Sequence, residues 1–323
     1  MAALPALADL EDAARVVYAA MPPTPQYPWP LLARRAGCEV WVKHENHTPT
    51  GAFKVRGGLV YMDRLRRERP AVRGVISATR GNHGQSVAFA ASRAGVTATI
   101  LVPRGNSVEK NAAMRAFGAE LIEHGHDFDA ARLEAARLAP ERGLEMLPSF
   151  DLDLVRGVGT YGLELLRAAP DIDTVYVPIG LGSGICGVMA ARDALGLRTR
   201  VVGVVSTEAA AYALSFEARR PVETNTADTM ADGMAVRVPS PLALELMLAG
   251  VERIVRVDDA EIAAAMRIYY EDTHQLAEGA GAAPLAALLK ERDAMRGRKV
   301  AVVLSGGNID RPVYARVLAG GDA

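Results

Sequence analysis

The stretch Thr50-Gly51-Ala52-Phe53-Lys54-Val55-Arg56-Gly57-Gly58 decides how the chain is read. It follows a short apolar alternation, Val40-Trp41-Val42-Lys43, and opens a segment of helical periodicity, which places Lys54 at a strand-loop-helix junction. Glycine-rich backbone can hold such a lysine out of water. Desolvation lowers its pKa and makes the amine a nucleophile able to form a Schiff base. Taken alone, the residue reads as a solvated helix-start lysine, and only its company lifts it above that. Further stretches keep it company: Asn82-His83, the loop Gly180-Leu181-Gly182-Ser183-Gly184, and Ser305-Gly306-Gly307-Asn308 follow in order, each after a strand-like run.

The bulk numbers narrow the partners. A chain of 323 residues can bury a substantial core and divide into two lobes. Its 37 basic and 38 acidic residues give a net charge of −1, with no electrostatic footprint for nucleic acid or an anionic membrane, so a small molecule is the expected partner. Cys38 and Cys186 make neither a disulfide framework nor a zinc motif, and a cytoplasmic setting is expected. No apolar run reaches the roughly 18 residues of a membrane span.

Outward from Lys54 the chain alternates. Leu7 to Ala20 reads as an amphipathic helix ended by Pro22, Pro23 and Pro25, after which the path is extended: a surface linker, or a crossing towards the first strand. Gly74–Ser77, Thr97–Val102 and Glu120–Ile122 read as strands, with helices over Gln85–Ala94, Val108–Phe117 and Phe128–Leu138. Thr174–Pro178, Arg200–Val205, Arg253–Val257 and Lys299–Leu304 continue the pattern, separated by alanine-rich helical stretches. Strands alternating with helices predict an α/β architecture of parallel sheets flanked by helices. Residues 64–147 are expected to form a small lobe; 1–63 and 148–323 together form a large one, with no regulatory domain.

The loop Gly180 to Gly184 joins the apolar run Val175–Ile179 to a helix-like Ile185–Ala194, where backbone N–H groups and the helix dipole suit a phosphate. It is a poor dinucleotide loop, because Ile185 stands where the third glycine belongs and no acidic residue ends the next strand. Asn82 and His83 read as residents of a strand-to-helix turn, where Asn82 alone would serve as a helix N-cap and His83 as a structural histidine.

This ordered set resembles the fold-type II pyridoxal 5'-phosphate (PLP) enzymes, the tryptophan synthase β-like fold, and most closely their serine/threonine dehydratase branch. The likeness runs from Lys43 to Asp310. By resemblance, Phe53, Lys54, Asn82, Gly180, Leu181, Gly182, Ser183, Gly184, Glu278 and Ser305 would bind the cofactor, with Lys54 as Schiff-base lysine and catalytic base. Asn82 would bond the cofactor's phenolic oxygen and Ser305 its pyridine nitrogen. A neutral hydroxyl there cannot keep that nitrogen protonated, which favours expelling a β-leaving group. Thr79, Arg80, Gly81, Asn82, His83 and Ser149 would face the substrate. Glu278 is open to two readings, a tuner of the ring or a helix-start carboxylate.

The departures carry information too. Leu181 and Ser183 interrupt the family's usual glycine run. Arg80 replaces the serine that donates a proton in racemase members, which argues against racemase activity; it can grip a carboxylate or stand solvated in its loop. Val205 and Ala211 occupy the places of a divalent-cation site, so no metal is expected. Asp232, in Thr229-Met230-Ala231-Asp232-Gly233, reads as a turn former or a ligand. The resemblance implies a homodimeric, PLP-dependent dehydratase or ammonia-lyase that converts a β-hydroxy-α-amino acid to a 2-oxo acid and ammonia. L-Threonine or L-serine is the default substrate, and a bulkier one such as L-phenylserine, or 3-hydroxyaspartate gripped by Arg80, the alternative. Cysteine-synthase-type β-replacement and a catalytically silent binding module remain the other classes.

Overall fold

The computed structural model describes residues 3–321. Its strands in chain order are β1 (Gln26–Pro28), β2 (Glu39–His44), β3 (Gly74–Ala78), β4 (Thr97–Val102), β5 (Glu120–Glu123), β6 (Glu145–Met146), β7 (Thr174–Pro178), β8 (Arg200–Ser206), β9 (Arg253–Val257) and β10 (Lys299–Leu304). A six-stranded sheet has the order β1-β2-β10-β7-β8-β9, and a four-stranded sheet the order β5-β4-β3-β6. Only β1 runs antiparallel to its neighbour; every other pairing is parallel.

Parallel strands covered by helices on both faces should be apolar along their centres, and β7, β8 and β10 are. Along β7, Val175 and Val177 enter one apolar cluster and Tyr176 the other; β8 and β10 split in the same alternation, with Val202 and Val302 on one side and Val201 and Val303 on the other. Period-two geometry thus feeds two cores from one uninterrupted apolar run.

The helix Lys54–Glu68 is clamped between the two sheets' helices. It packs on the helix Leu152–Ala168, where a Cβ at Gly157 would run into the carbonyl oxygen of Arg56. Only glycine permits that approach, and it fixes the first turn carrying Lys54. The expected lobe boundary after residue 63 falls inside this helix.

Arg56, two residues on, is fully buried. It bonds Glu45 at 2.7 and 2.9 Å and Glu164 at 2.7 and 2.9 Å, and Glu164 also accepts from buried Lys43. Thr24 closes the network by donating to Glu45 at 2.5 Å, while Lys43 donates to the Thr24 carbonyl. The proline-rich segment therefore crosses towards β1 pinned by buried Met21 and Thr24, with Pro22 and Pro23 exposed at the surface. Its extended backbone leads into β1, an edge strand the sequence reading did not foresee; Pro28 can sit there because an edge leaves one row of N–H groups unpaired.

Three other boundaries differ from expectation. The helix after β3 starts at Asn82 and not Gln85, the helix after β7 starts at Ser183 and not Ile185, and the helix from Phe128 runs past Leu138 through Pro140 to Glu141. No helix of the described residues is long and apolar enough to cross a membrane.

Candidate active site

In a parallel sheet the C-terminal strand ends gather loops on one edge, and ligands bind there. Three adjacent strands meet that description. β2 leads to Lys54, β10 ends at Ser305, and β7 leads to Gly180–Gly184. Backbone bonds sew them together: Phe53 N donates to Ser305 O at 3.0 Å, Gly307 N to Gly51 O at 2.9 Å, and Glu278 N to Gly306 O at 3.1 Å. The C-terminal end of β3 faces them and brings Thr79 to His83. Together these loops enclose a cavity of about 110 Å³ lined by every residue singled out above for cofactor or substrate.

Lys54 is the first residue of its helix, and its Nζ lies 3.1 Å from Ser183 Oγ. Its only exposed surface faces the cavity. Desolvation lowers its pKa to about 8, so a neutral amine is accessible at mild pH. Ser183 opens the helix Ser183–Ala194, with Gly182 as cap at φ 101°. The first N–H groups of that helix lack intrahelical partners, and its dipole is positive at this end. A Cβ at Gly180 would strike the carbonyl of Gly233, so that glycine is required by the loop packed on it. The Leu181 carbonyl accepts from Tyr212 OH at 3.0 Å and the Gly184 carbonyl from Tyr161 OH at 3.1 Å, holding the loop from behind. A hydroxyl and a helix N-terminus side by side form a donor set for a phosphate, beside the one amine, Lys54, able to capture an aldehyde. That is the donor set a phosphorylated aldehyde requires.

The opposite wall is organised by Thr79. Its Oγ1 accepts from Gly81 N at 2.9 Å and Gly84 N at 3.2 Å, which is the capping role the sequence offered to Asn82. Asn82 is released to point across the cleft: its Nδ2 donates to Glu278 Oε1 at 2.6 Å, and its Oδ1 accepts from Asn308 Nδ2 at 2.9 Å. Glu278 occupies the N-cap position of the helix Gly279–Lys290, yet its carboxylate is turned away from that helix. Burial raises its pKa, against the opposing pull of Lys110 at 3.5 Å.

His83 is buried, and desolvation followed by the nearby Lys54 charge lowers its pKa to about 3, so it is neutral. Ser77 Oγ spends its proton on Leu147 O at 2.8 Å; its contact to His83 Nε2 at 3.2 Å therefore makes Nε2 the donor. This is a structural histidine. Ser149 Oγ donates to Ala78 O at 3.4 Å and borders the cavity.

Arg80 is paired while its side chain stays 41% exposed: its Nη2 lies 3.2 Å from Asp232 Oδ1, while Lys110 Nζ lies 3.2 Å from Oδ2 of the same carboxylate. Asp232 thus both starts a 3-10 turn and faces the cavity. Lys110, Phe128, Ala235 and Val236 also line the cavity, and sequence reasoning had not singled them out. Among the described residues, no group of three or more His, Cys, Asp or Glu is arranged to hold a metal ion.

A family model described as "Pyridoxal-phosphate dependent enzyme" matches residues 17–306. The chain belongs to that family. PLP-dependent enzymes of the serine/threonine dehydratase branch recur among its relatives. L-threonine ammonia-lyase of Thermotoga maritima is 36% identical over 97% of this chain and 78% of its own length. The Geobacter sulfurreducens L-threonine ammonia-lyase is 40% identical over 86% of this chain and 69% of its own. Among solved structures, threonine deaminase isoform 2 of Solanum lycopersicum superposes with a TM-score of 0.88 at 30% identity, covering 98% of this chain and 95% of that one. This family member is a PLP-dependent lyase of fold type II.

Proposed function

We propose that this enzyme dehydrates and deaminates β-hydroxy-α-amino acids, L-threonine and L-serine first among them, to a 2-oxo acid and ammonia. The observation that carries the reading is the desolvated Lys54 amine 3.1 Å from Ser183 Oγ, at a helix N-terminus that accommodates a phosphate. Bound there, PLP supplies an aldehyde for the substrate amine and an electron-withdrawing ring that acidifies the α-proton.

The chain's residues do the rest. The loop Gly180–Gly184 and Ser183 Oγ would hold the phosphate, the second Nδ2 proton of Asn82 would bond the ring hydroxyl oxygen, and Ser305 would bond the ring nitrogen. The free N–H groups of Asn82 and His83, in the first helical turn, would hold the substrate carboxylate. Lys54 Nζ would take the α-proton, and the β-hydroxyl would leave with one proton as water, which the last step takes back. The released enamine takes up water and splits into one 2-oxo acid and one ammonia.

Two features favour elimination over racemisation. Ser305 is a neutral partner for the ring nitrogen, and Arg80, always protonated, cannot exchange a proton with the second face of the α-carbon. Two lobes, 1–63 with 148–323 and 64–147, a cytoplasmic setting and a homodimeric state belong to the same proposal. The test is to incubate the PLP-loaded enzyme with L-threonine and assay ammonia, 2-oxobutanoate and D-allothreonine, the product of inversion at the α-carbon, then repeat with a thiol present. Equal ammonia and 2-oxobutanoate are expected. D-allothreonine without ammonia, or a thioether amino acid in place of the oxo acid, would overturn the reading.

A further inference from the structure

The catalytic cavity does not end at its side wall. Arg80, Phe128, Leu181, Ala235 and Val236 line it and also line a second cavity of about 380 Å³. The shared wall is apolar and aromatic apart from the Arg80 guanidinium. The rest of the inner cavity is lined by Lys54, Ser305, the glycine loop, the turn Thr79–His83 and the polar side chains of Lys110, Ser149, Asp232 and Glu278, so the side carrying Phe128, Ala235 and Val236 is the one suited to an apolar group on the β-carbon. An apolar cavity of about 150 Å³ accepts a benzene molecule. The second cavity is larger than that, and Phe128, Leu181, Ala227, Ala235, Val236 and Val238 form its apolar part while charged and polar side chains line the rest.

Charge narrows the occupant. Two guanidinium groups line the second cavity, and both are paired: Arg80 with Asp232 at 3.2 Å, and Arg237 with Asp127 at 3.0 Å and Asp129 at 2.7 Å. Asp228 adds a further, exposed carboxylate. An acidic substituent would find no unpaired arginine or lysine in this lining and would meet several carboxylates.

We propose that the second cavity is a subsite for the β-substituent, and that the enzyme takes β-hydroxy-α-amino acids bearing a neutral apolar group larger than methyl, an aryl group above all. The proposal rests on the dehydratase reading. The Phe128 ring offers an aryl group an edge or a face, and the flat, already neutralised Arg80 guanidinium offers it a stacking surface. Ala235 and Val236, small and half-buried, set the width of the passage.

The experiment compares kcat/KM of the PLP-loaded wild-type enzyme, Ala235→Leu and Val236→Ala on L-threonine, L-threo-phenylserine and L-threo-3-hydroxyaspartate. Wild type is expected to turn over phenylserine and to prefer it to hydroxyaspartate. Ala235→Leu should lower the phenylserine-to-threonine ratio by about tenfold or more, and Val236→Ala should raise it, the scale on which a methylene or two is discriminated. A ratio that neither substitution moves would overturn the subsite. So would an Ala235→Leu enzyme slowed equally on all substrates, which would mark the second cavity as an entry path. Threonine turnover without phenylserine turnover sinks the subsite and leaves the dehydratase reading standing; no oxo acid from any of the three, or from L-serine, sinks both.

Discussion

Asn82 donates its side-chain amide to the buried carboxylate of Glu278 at 2.6 Å, across 196 residues of sequence. The amide oxygen is fixed at the same time by Asn308, whose Nδ2 also donates to Thr50 O at 2.8 Å. Both ends of the Asn82 amide are therefore determined, and one N–H remains to face the cavity. Glu278 orients Asn82 and balances Lys110.

Replacing Glu278 by alanine should remove an acceptor for Asn82 and leave Lys110 with Asp232 alone. A lost hydrogen bond to a charged group costs about 1.5–3 kcal/mol, so kcat/KM should fall roughly tenfold to a hundredfold. Glu278→Gln keeps an acceptor for Asn82 and should lose less. Steady-state kinetics of the two variants check the order.

Cofactor uptake should depend on pH through Lys54. Its folded pKa, lowered by burial to about 8, lies below the ordinary lysine value, so in the cofactor-free protein the amine is protonated and unreactive below pH 8 and neutral above it. The rate of covalent PLP incorporation should rise about tenfold per pH unit below 8 and level off above it. Stopped-flow absorbance across pH 6 to 9.5 reads this directly. A profile still climbing at the top of that range would mean that the lysine is not desolvated.

Arg56→Met should destabilise the fold without touching the cavity. It strands buried Glu45 and leaves Glu164 with Lys43 alone, and removing one partner of a buried charge network costs about 3–5 kcal/mol. Urea unfolding monitored by circular dichroism measures the loss. Because Arg56 sits two residues from Lys54, PLP affinity should weaken in parallel.

Gly182→Ala should impair the phosphate loop. The residue adopts φ 101°, a conformation alanine rarely takes, and its Cβ would approach the Ala243 Cβ to 2.9 Å. PLP affinity, measured by equilibrium dialysis, should drop by about tenfold or more for a strain of roughly 1–3 kcal/mol.

Much of this geometry is legible in the sequence because parallel strands leave an unmistakable record. β4, β7 and β10 lie where the apolar runs place them, since residues buried on both faces leave little ambiguity. The glycine loop is legible for a related reason, as its backbone must do what other residues cannot. What escaped follows from tertiary contacts. In the helix Val108–Ala116, Val108 is 75% exposed and Lys110 only 6%. Hydropathy predicts the reverse, and nothing local shows that Asp232 and Glu278 wait for the ammonium. That inversion is the one signal that marks Lys110 as a pocket residue. The helix start at Asn82 was hidden similarly, because Gly81-Asn82-His83-Gly84 reads as a turn until the Thr79 hydroxyl is seen capping it. β6 is two residues long and takes its identity from pairing with β3 alone.

The most direct test of the central claim, that Lys54 carries the cofactor and takes the α-proton, is borohydride reduction of the PLP-loaded enzyme followed by proteolysis and mass spectrometry. A pyridoxyl phosphate adduct on Lys54, with Lys54→Ala unlabelled and its turnover down about a thousandfold or more, is the predicted result. An adduct on Lys110 or another lysine, with Lys54→Ala still active, would contradict it.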